Sequence, residues 1–113
     1  FVQGAGWLTM EEVNWKSNGQ ITTHSPSTYK IPAVSDMPEK FNVEIYKYGK
    51  NKENVVNKSK TTGEPPLMNA MSVFFAIKDA IASVGNYNIT PIINAPATPE
   101  KILMSIKNLE RKL

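Results

Sequence analysis

The chain has 113 residues, of which 13 are basic, 10 are acidic and 41% are hydrophobic, and its formal net charge is +3. This length allows one domain and excludes a second of ordinary size, and the composition is too apolar for a wholly disordered tail. A compact fold of this mass would bury roughly 12,000 Å² of surface. With no cysteine and one histidine, His24, the chain has no disulfide, thiolate zinc site, protein-held iron–sulfur cluster or two-histidine metal site of its own.

Neither a stretch of 18 apolar residues nor the pattern of a secretory signal occurs in the sequence. We therefore expect a cytoplasmic protein without a membrane span. The chain opens on Phe1 in an apolar segment, as a processed protein or an excised fragment would, and we expect a fragment of a longer protein.

The excess of positive charge lies in residues 47–60, which hold five lysines and one acid, Glu53. The lysines are spaced too loosely for a nuclear signal, and only Tyr46 and Tyr48 are aromatic neighbours. The segment is predicted to be a solvated loop, with no nucleic-acid partner.

Apolar residues near helical spacing predict a short helix within residues 1–15. Gly4 and Gly6 would each weaken such a helix by about 1 kcal/mol relative to alanine, so a close backbone approach is expected to explain them. Asn18-Gly19 lies between β-forming residues and is the strongest short signal for a β-hairpin.

Three prolines, Pro26, Pro32 and Pro38, predict an ordered loop or an edge, not a helix, in residues 24–39. The next segment, residues 41–46, places Phe, Val and Ile at every second position. This alternation predicts a half-buried strand.

Residues 65–84 form the longest predicted helix. Prolines are confined to its first turn, where a missing N–H is harmless, and Gly85 marks its end. Apolar side chains cover almost its whole circumference, so the helix is expected to be buried on all sides. A domain of 113 residues has few places for such a helix, and its apolar excess indicates that the chain packs inside a larger protein.

The C-terminal segment is predicted to be an amphipathic helix near residues 99–112. Thr98 is the expected cap, Pro99 the first helical residue, and Glu100 an acid near the positive helix end. A β-hairpin, at least one further strand and two late helices together predict an α+β fold.

One carboxylate, Glu64, stands at the start of the 65–84 helix between Gly63 and Pro65-Pro66, which is a stiff mount for an acid. In a structural interpretation it interacts with the helix dipole, worth about 0.3–1 kcal/mol, or caps exposed amides. In a functional one it is a general base, since the helix end favours the ionised carboxylate while burial against apolar neighbours opposes it. The local features leave both interpretations open.

Five runs follow one another in a recognisable order along nearly the whole chain. They are residues 1–9 (Phe-Val-Gln-Gly-Ala-Gly-Trp-Leu-Thr) with Glu11-Glu12, residues 25–32 (Ser-Pro-Ser-Thr-Tyr-Lys-Ile-Pro), Ser59-Lys60 with Gly63-Glu64-Pro65-Pro66-Leu67, residues 72–80 (Ser-Val-Phe-Phe-Ala-Ile-Lys-Asp-Ala), and residues 95–100 (Ala-Pro-Ala-Thr-Pro-Glu). Together they resemble the C-terminal part of the molybdenum-binding portion of the xanthine dehydrogenase and aldehyde oxidase family. Any one run alone would prove little, whereas five in order exclude a chance match.

The resemblance implies that residues 1–113 are a C-terminal fragment of a molybdopterin-binding domain, and that Glu64 falls on the family's catalytic glutamate. That glutamate accepts a proton from the oxygen that attacks an electron-poor carbon. The implied cofactor is molybdenum–molybdopterin, held by its own dithiolene and not by cysteine, with iron–sulfur clusters and FAD in other domains or subunits. No cofactor-binding or metal-ligating residue is carried over, because the family's other pocket residues lie upstream of Phe1.

The implied function is part of an oxidoreductase that hydroxylates purines such as xanthine or hypoxanthine, with the remainder of the molybdenum subunit as partner. The alternatives are oxidation of an aldehyde or another N-heterocycle by the same chemistry, and a noncatalytic α+β interaction module. The isolated fragment is expected to be inactive.

The sequence departs from the family pattern at Thr61 and Thr62, where alanine and valine are more usual, and this bears on substrate preference. Its early end and the surroundings of Trp7 look more like bacterial xanthine dehydrogenases, whose molybdenum subunit is a separate chain. Four further residues with tempting chemistry are expected to be structural or to lie on the surface: Gln3, Trp7, Trp15 and His24.

Overall fold

A computed structural model of the chain describes residues 1–60 and 63–113. Three α-helices form its framework: α1 (Val2–Thr9), α2 (Pro65–Val84) and α3 (Pro99–Glu110). Long irregular connections join them and contain two short 3-10 helices, Val34–Asp36 and Val56–Lys58. The departures at Thr61 and Thr62 lie outside the described residues.

The α+β prediction is wrong, because no β-strand occurs in residues 1–60 and 63–113. In place of the expected β-hairpin there is a tight turn, in which Gly19 has a φ of 82° and one isolated antiparallel bridge joins Trp15 to Ile21. Two threonine side chains form hydrogen bonds with the backbone across the turn. The Asn14 amide donates to Thr23 Oγ1 (3.1 Å), and Thr22 Oγ1 donates to the Asn14 carbonyl (3.0 Å). Both arms are exposed, and a two-stranded hairpin with nothing packed on it is marginal.

The strand predicted in residues 41–46 is also absent. Of its alternating apolar side chains, Val43 and Ile45 point into solvent and are 74% and 90% exposed, whereas Phe41 pairs with Phe1. A strand needs a neighbour to take up its backbone hydrogen bonds, and none of the described residues pairs with this segment. All five lysines of the segment that follows, residues 47–60, are exposed, as predicted for a solvated loop.

Both late helices are confirmed. Helix α2 has two prolines in its first turn and ends at Gly85, and Leu109 of α3 packs against that glycine. Helix α3 begins at the predicted cap, where the Thr98 side chain accepts a hydrogen bond from the Lys101 amide.

Within this chain α2 is buried on one side only, so its burial on all sides inside a larger protein stays a prediction. Its inner face contains Ala70 and Ile81, which are fully or almost fully buried, whereas Met68 and Phe75 on the opposite face are 65% and 59% exposed. By length and composition alone, Leu67–Val84 is apolar enough to cross a membrane, a test that core helices of soluble proteins also pass. The apolar circumference is real, but the described residues cover only one side of it.

The chain is much more open than a compact domain of its size. Its radius of gyration is 18.7 Å, against about 13 Å for a compact chain of this length. It exposes 9239 Å² of surface, where a compact monomer of this mass would expose roughly 6,200 Å². About 3,000 Å² is therefore left uncovered, and the fold buries less than the sequence length predicted.

We expect the isolated 113 residues to self-associate, because a large exposed apolar helix face is rarely tolerated in a monomer. Light scattering of the pure chain at several concentrations is the measurement. A monodisperse monomer at every concentration would contradict this expectation and indicate that the isolated chain repacks to cover α2.

Candidate active site

Helix α1 lies at the centre of the described structure, and the proline-rich loop packs directly on it. A Cβ atom placed on Gly6 would lie 2.5 Å from Pro32 Cγ and 2.6 Å from Glu11 Oε1. No side chain fits there without displacing the proline ring. The expectation of a close approach is thus confirmed at Gly6, and Gly4 beside it is also buried.

A hydrogen bond between two side chains fastens the same loop to the end of α1. Tyr29 Oη donates to Glu11 Oε2 at 2.6 Å. This bond, with the nearby negative charge, raises the pKa of the Tyr29 hydroxyl. Because the folded-state pKa is raised, the bond contributes stability below the ordinary pKa of tyrosine and is lost as the pH rises through the raised value.

The later part of the loop is held by Asp36. Its carboxylate accepts hydrogen bonds from the Ala33 amide (2.8 Å) and from Lys30 Nζ (3.2 Å), and these two donors lower the pKa of Asp36. Since the folded-state pKa is depressed, this local stabilisation is present above the ordinary pKa of aspartate and is lost as the pH falls through the lowered value.

The segment before α3 also meets α1. The Ala97 amide donates to the Leu8 carbonyl at 2.7 Å, and Lys101 Nζ lies 2.8 Å from Glu12 Oε1. Ala97 is buried, whereas the ion pair is partly exposed and contributes at most about 1 kcal/mol. The runs around residues 1–12, 25–32 and 95–100, which are far apart in sequence, are therefore neighbours in the structure.

We predict that Tyr29→Phe loosens the proline-rich loop, because it removes the hydrogen bond to Glu11 and keeps the ring. Trypsin cleavage after Lys30 at pH 8 is the measurement, and we expect it to be several-fold faster than in the unsubstituted protein. Tyr48→Phe is the matched control, since no hydrogen bond to Tyr48 occurs within the described residues and its ring is exposed. Equal cleavage rates in the two variants would show that the Tyr29–Glu11 bond does not hold the loop.

Glu64 occupies the N-cap position of α2, the helix that packs along α1. Its backbone carbonyl accepts a hydrogen bond from the Leu67 amide at 3.2 Å, which fixes the first helical turn. The residue is exposed, and its side chain forms no capping hydrogen bond. The carboxylate is thus carried by a rigid backbone and is not engaged by its own helix.

The chemistry of the first turn explains why the carboxylate stays unengaged. An N-cap side chain normally accepts from the second or third amide of the helix, but Pro66 at the second position has no N–H and Leu67 already donates to the backbone carbonyl. The capping interpretation of Glu64 therefore loses support.

An open cleft begins one helical turn beyond Glu64. It has a volume of about 910 Å³, and its walls include Met68 and Ser72 of α2 with the ring pair Phe1 and Phe41, whose centroids are 6.0 Å apart. Its walls also carry the charged side chains of Lys40 and Glu44, and Glu64 itself is not among the lining residues.

The remaining singled-out residues do not join Glu64. Gln3 is an exposed residue of α1 and His24 lies on the surface, both in line with expectation. Trp7 is half-buried, as expected for a packing residue, but Trp15 is 61% exposed, so the packing role predicted for it is wrong.

The metal-ligating types of side chain do not cluster in the part of the chain that the structure describes. No group of three histidine, cysteine, aspartate or glutamate side chains that could hold a metal occurs among residues 1–60 and 63–113. The large cleft beside Phe1 is also open to solvent and encloses nothing. What the chain supplies is one mounted carboxylate and not a set of ligands.

Two comparisons with known proteins, one with a family model and one with individual proteins, point to the same family. Residues 1–38 match a family described as a molybdopterin cofactor-binding domain. The chain is 47% identical over 108 residues to xanthine dehydrogenase/oxidase of Felis catus, and 42% identical over 116 residues to xanthine dehydrogenase 2 of Arabidopsis thaliana. These alignments cover 90% and 93% of this chain. The chain belongs to the xanthine dehydrogenase family.

The match to xanthine dehydrogenases covers a small part of those proteins. The chain spans 8% of the length of the cat and Arabidopsis relatives and 8% of xanthine dehydrogenase of Dictyostelium discoideum, to which it is 44% identical. The family resemblance is confirmed. The finer expectation, that the chain is most like the bacterial enzymes, stays a prediction.

Sequence reasoning missed the contacts that join α1 to the proline-rich loop and to the segment before α3. Glu11 and Glu12 were noticed only as part of a run, although one holds Tyr29 and the other Lys101. Glu11 and Tyr29 both lie in the runs, but nothing in the runs shows that they meet, and Lys101 lies one residue beyond the last run.

Proposed function

We propose that these 113 residues are the C-terminal part of the molybdopterin-binding domain of an enzyme that hydroxylates purines such as xanthine or hypoxanthine, and that Glu64 is its general base. The observation that carries the proposal is the state of the Glu64 carboxylate, which is rigidly mounted, exposed and without a capping hydrogen bond. The cat, Arabidopsis and Dictyostelium relatives are xanthine dehydrogenases, which favours a purine over an aldehyde.

The proposed role of Glu64 is to accept a proton from the oxygen nucleophile as that oxygen attacks the substrate carbon. A base must reach that proton with its lone pair free, and a carboxylate that capped its own helix would not be free. The prolines that follow Glu64 leave its backbone little freedom, which helps to orient the carboxylate before substrate arrives.

The proposal includes molybdenum–molybdopterin as cofactor, which would supply the two-electron oxidation. Iron–sulfur clusters and FAD, in other domains or subunits, would carry the electrons away. Its main contacts and pocket are assigned to the remainder of the molybdenum subunit, as the family resemblance implies. The protein is proposed to act in the cytoplasm.

Substrate comparison in the parent protein, the full-length enzyme that contains this chain, tests the proposal. We expect kcat/KM for xanthine and hypoxanthine to exceed that for an aromatic aldehyde, with molybdenum present in the sample. A preference for the aldehyde would favour the alternative within the same chemistry. No turnover of either class by molybdenum-loaded protein would favour a noncatalytic module.

We also expect the isolated 113 residues to bind no molybdenum and to form no urate from xanthine, because the cofactor ligands lie outside them. Metal analysis and an absorbance assay for urate on the purified chain are the measurements. Urate formation by the pure chain would overturn the assignment of the cofactor pocket to the remainder of the protein.

A further inference from the structure

The tip of the turn between Trp15 and Ile21 holds the only asparagine of the chain that is followed by a glycine, Asn18 before Gly19. Both residues are exposed, and a Cβ atom on Gly19 would meet no atom within 4 Å. Gly19 has a φ of 82°, a conformation that favours glycine over residues with a side chain. The Gly19 nitrogen is therefore not crowded by a side chain of its own or by a neighbour at that position.

The side chain of Asn18 folds back over the backbone that follows it. The Gln20 amide donates a hydrogen bond to Asn18 Oδ1 at 3.1 Å. This bond closes a ring of atoms that contains both Asn18 Cγ and the Gly19 nitrogen, so it keeps that carbon close to that nitrogen. It also draws electron density away from Asn18 Cγ, which makes the carbon a better target for a nucleophile.

A second hydrogen bond opposes a reaction between these two atoms. The Gly19 amide donates to the Lys16 carbonyl at 2.9 Å, and its nitrogen can attack only after this proton is lost. The bond belongs to an exposed turn whose arms are joined by one isolated bridge, so its opening costs little free energy. The bond slows the reaction without preventing it.

We propose that Asn18 is a site of spontaneous deamidation, through which this turn changes its own backbone as the protein ages. The Gly19 nitrogen forms a bond to Asn18 Cγ, and the side-chain nitrogen leaves with the Gly19 amide proton as ammonia, which gives a cyclic imide. Water then adds to one carbonyl carbon of the imide and breaks one of its two C–N bonds. The product is aspartate or isoaspartate, according to which bond breaks. Water is the only co-reactant, so the inference goes beyond the proposed function and does not depend on it.

Both products change the charge of the turn, and isoaspartate also changes its length. Each replaces a neutral amide by a carboxylate and so removes one unit of the net charge of +3. Isoaspartate routes the main chain through its side-chain carbon, which adds one atom to the backbone. We expect that atom to misalign the hydrogen bonds across the turn, from the Lys16 amide to the Gln20 carbonyl (2.9 Å) and from the Thr22 amide to the Asn14 carbonyl (2.8 Å).

Asn51 provides a matched control within the same chain. The Glu53 amide donates to Asn51 Oδ1 at 3.1 Å, which is the same local hydrogen bond as at Asn18. The residue after Asn51 is Lys52, whose side chain hinders attack by its own nitrogen, whereas Gly19 has none. The two sites therefore separate the effect of the glycine from that of the hydrogen bond.

The test is peptide mapping by mass spectrometry of the wild-type parent protein during incubation at pH 8. The tryptic peptide of residues 17–30 contains Asn18 as its only asparagine, and residues 45–53, released by a glutamate-specific protease, contain only Asn51. We expect Asn18 to convert at least about tenfold faster than Asn51, and to give both isoaspartate and aspartate. A smaller ratio would overturn the proposal.

Two further results would also overturn it. Aspartate as the sole product at Asn18 would indicate direct hydrolysis of the side chain, because opening of an imide gives both isomers. Conversion of Asn18 in urea-unfolded protein but not in native protein would show that the folded parent holds the turn closed or covers it. Xanthine turnover is not part of the measurement, so either failure leaves the proposed function standing.

Discussion

Replacing Glu64 by alanine in the parent protein is expected to lower kcat for xanthine by about 10²–10⁴-fold, the usual cost of removing a positioned general base. The KM should change little, because the carboxylate is proposed to act on the proton of the attacking oxygen and not to hold the purine. A loss in kcat with a matching loss in kcat/KM is the signature of an interaction made only in the transition state. Steady-state kinetics over a range of xanthine concentrations measures both.

Glu100→Ala is the matched control for Glu64→Ala. Glu100 also lies in the first turn of a helix, next to a proline, and is exposed. Loss of a helix-dipole interaction alone would cost about 0.3–1 kcal/mol in either variant and leave kcat unchanged. Equal behaviour of the two variants would reduce Glu64 to an acid that merely complements its helix.

The second large effect is expected at Gly6. Valine at this position places carbon atoms where Pro32 already lies, at a Cβ distance of 2.5 Å, and a proline ring has little freedom to move away. Overpacking of this kind costs about 1–3 kcal/mol. We therefore expect amides of α1 and of the proline-rich loop to exchange hydrogen about 5- to 150-fold faster in Gly6→Val.

Gly63→Val is the control for Gly6→Val in the same exchange experiment, followed by mass spectrometry of the parent protein. A Cβ at Gly63 would lie 3.9 Å from Pro65 Cδ, which is an ordinary van der Waals contact. Unchanged exchange in α1 of Gly6→Val would mean that the loop moves aside at no cost, and that Gly6 is not required for the approach.

The helices were predictable because their signals are local. Pro65 and Gly85 bound α2, and Thr98 with Pro99 begins α3, and each of these residues acts on the backbone within one turn of itself. The burial of α2 was not predictable in the same way, because the circumference of a helix tells how much cover it needs and not what supplies it.

The strand predictions were wrong because strand formation depends on contacts that are not local. The alternation in residues 41–46 describes how a strand would be sided, but a strand forms only when another backbone lies beside it. At Asn18-Gly19 the turn chemistry was correct, and Gly19 adopts the positive φ it predicts, yet the arms have nothing to pack against. The local sequence therefore predicts the turn correctly but does not determine whether its two arms pair in a sheet.

The candidate site likewise has a part that local sequence predicts and a part that depends on contacts between distant residues. Glu64 was found from its sequence neighbours and from the family resemblance, and its lack of a capping bond follows from the two prolines after it. The contact between Glu11 and Tyr29 joins residues 18 positions apart, and its existence depends on how the proline-rich loop returns to α1. No periodicity or composition encodes such a return.

The central claim is that Glu64 accepts a proton during substrate oxidation. Its most direct test is steady-state xanthine oxidation by the parent protein carrying Glu64→Gln, with molybdenum content measured on the same sample. Glutamine keeps the size of the side chain and cannot serve as the base, so we predict a loss in kcat of at least about 100-fold with molybdenum equal to that of the unsubstituted protein. Near-normal turnover with the metal retained would contradict the claim.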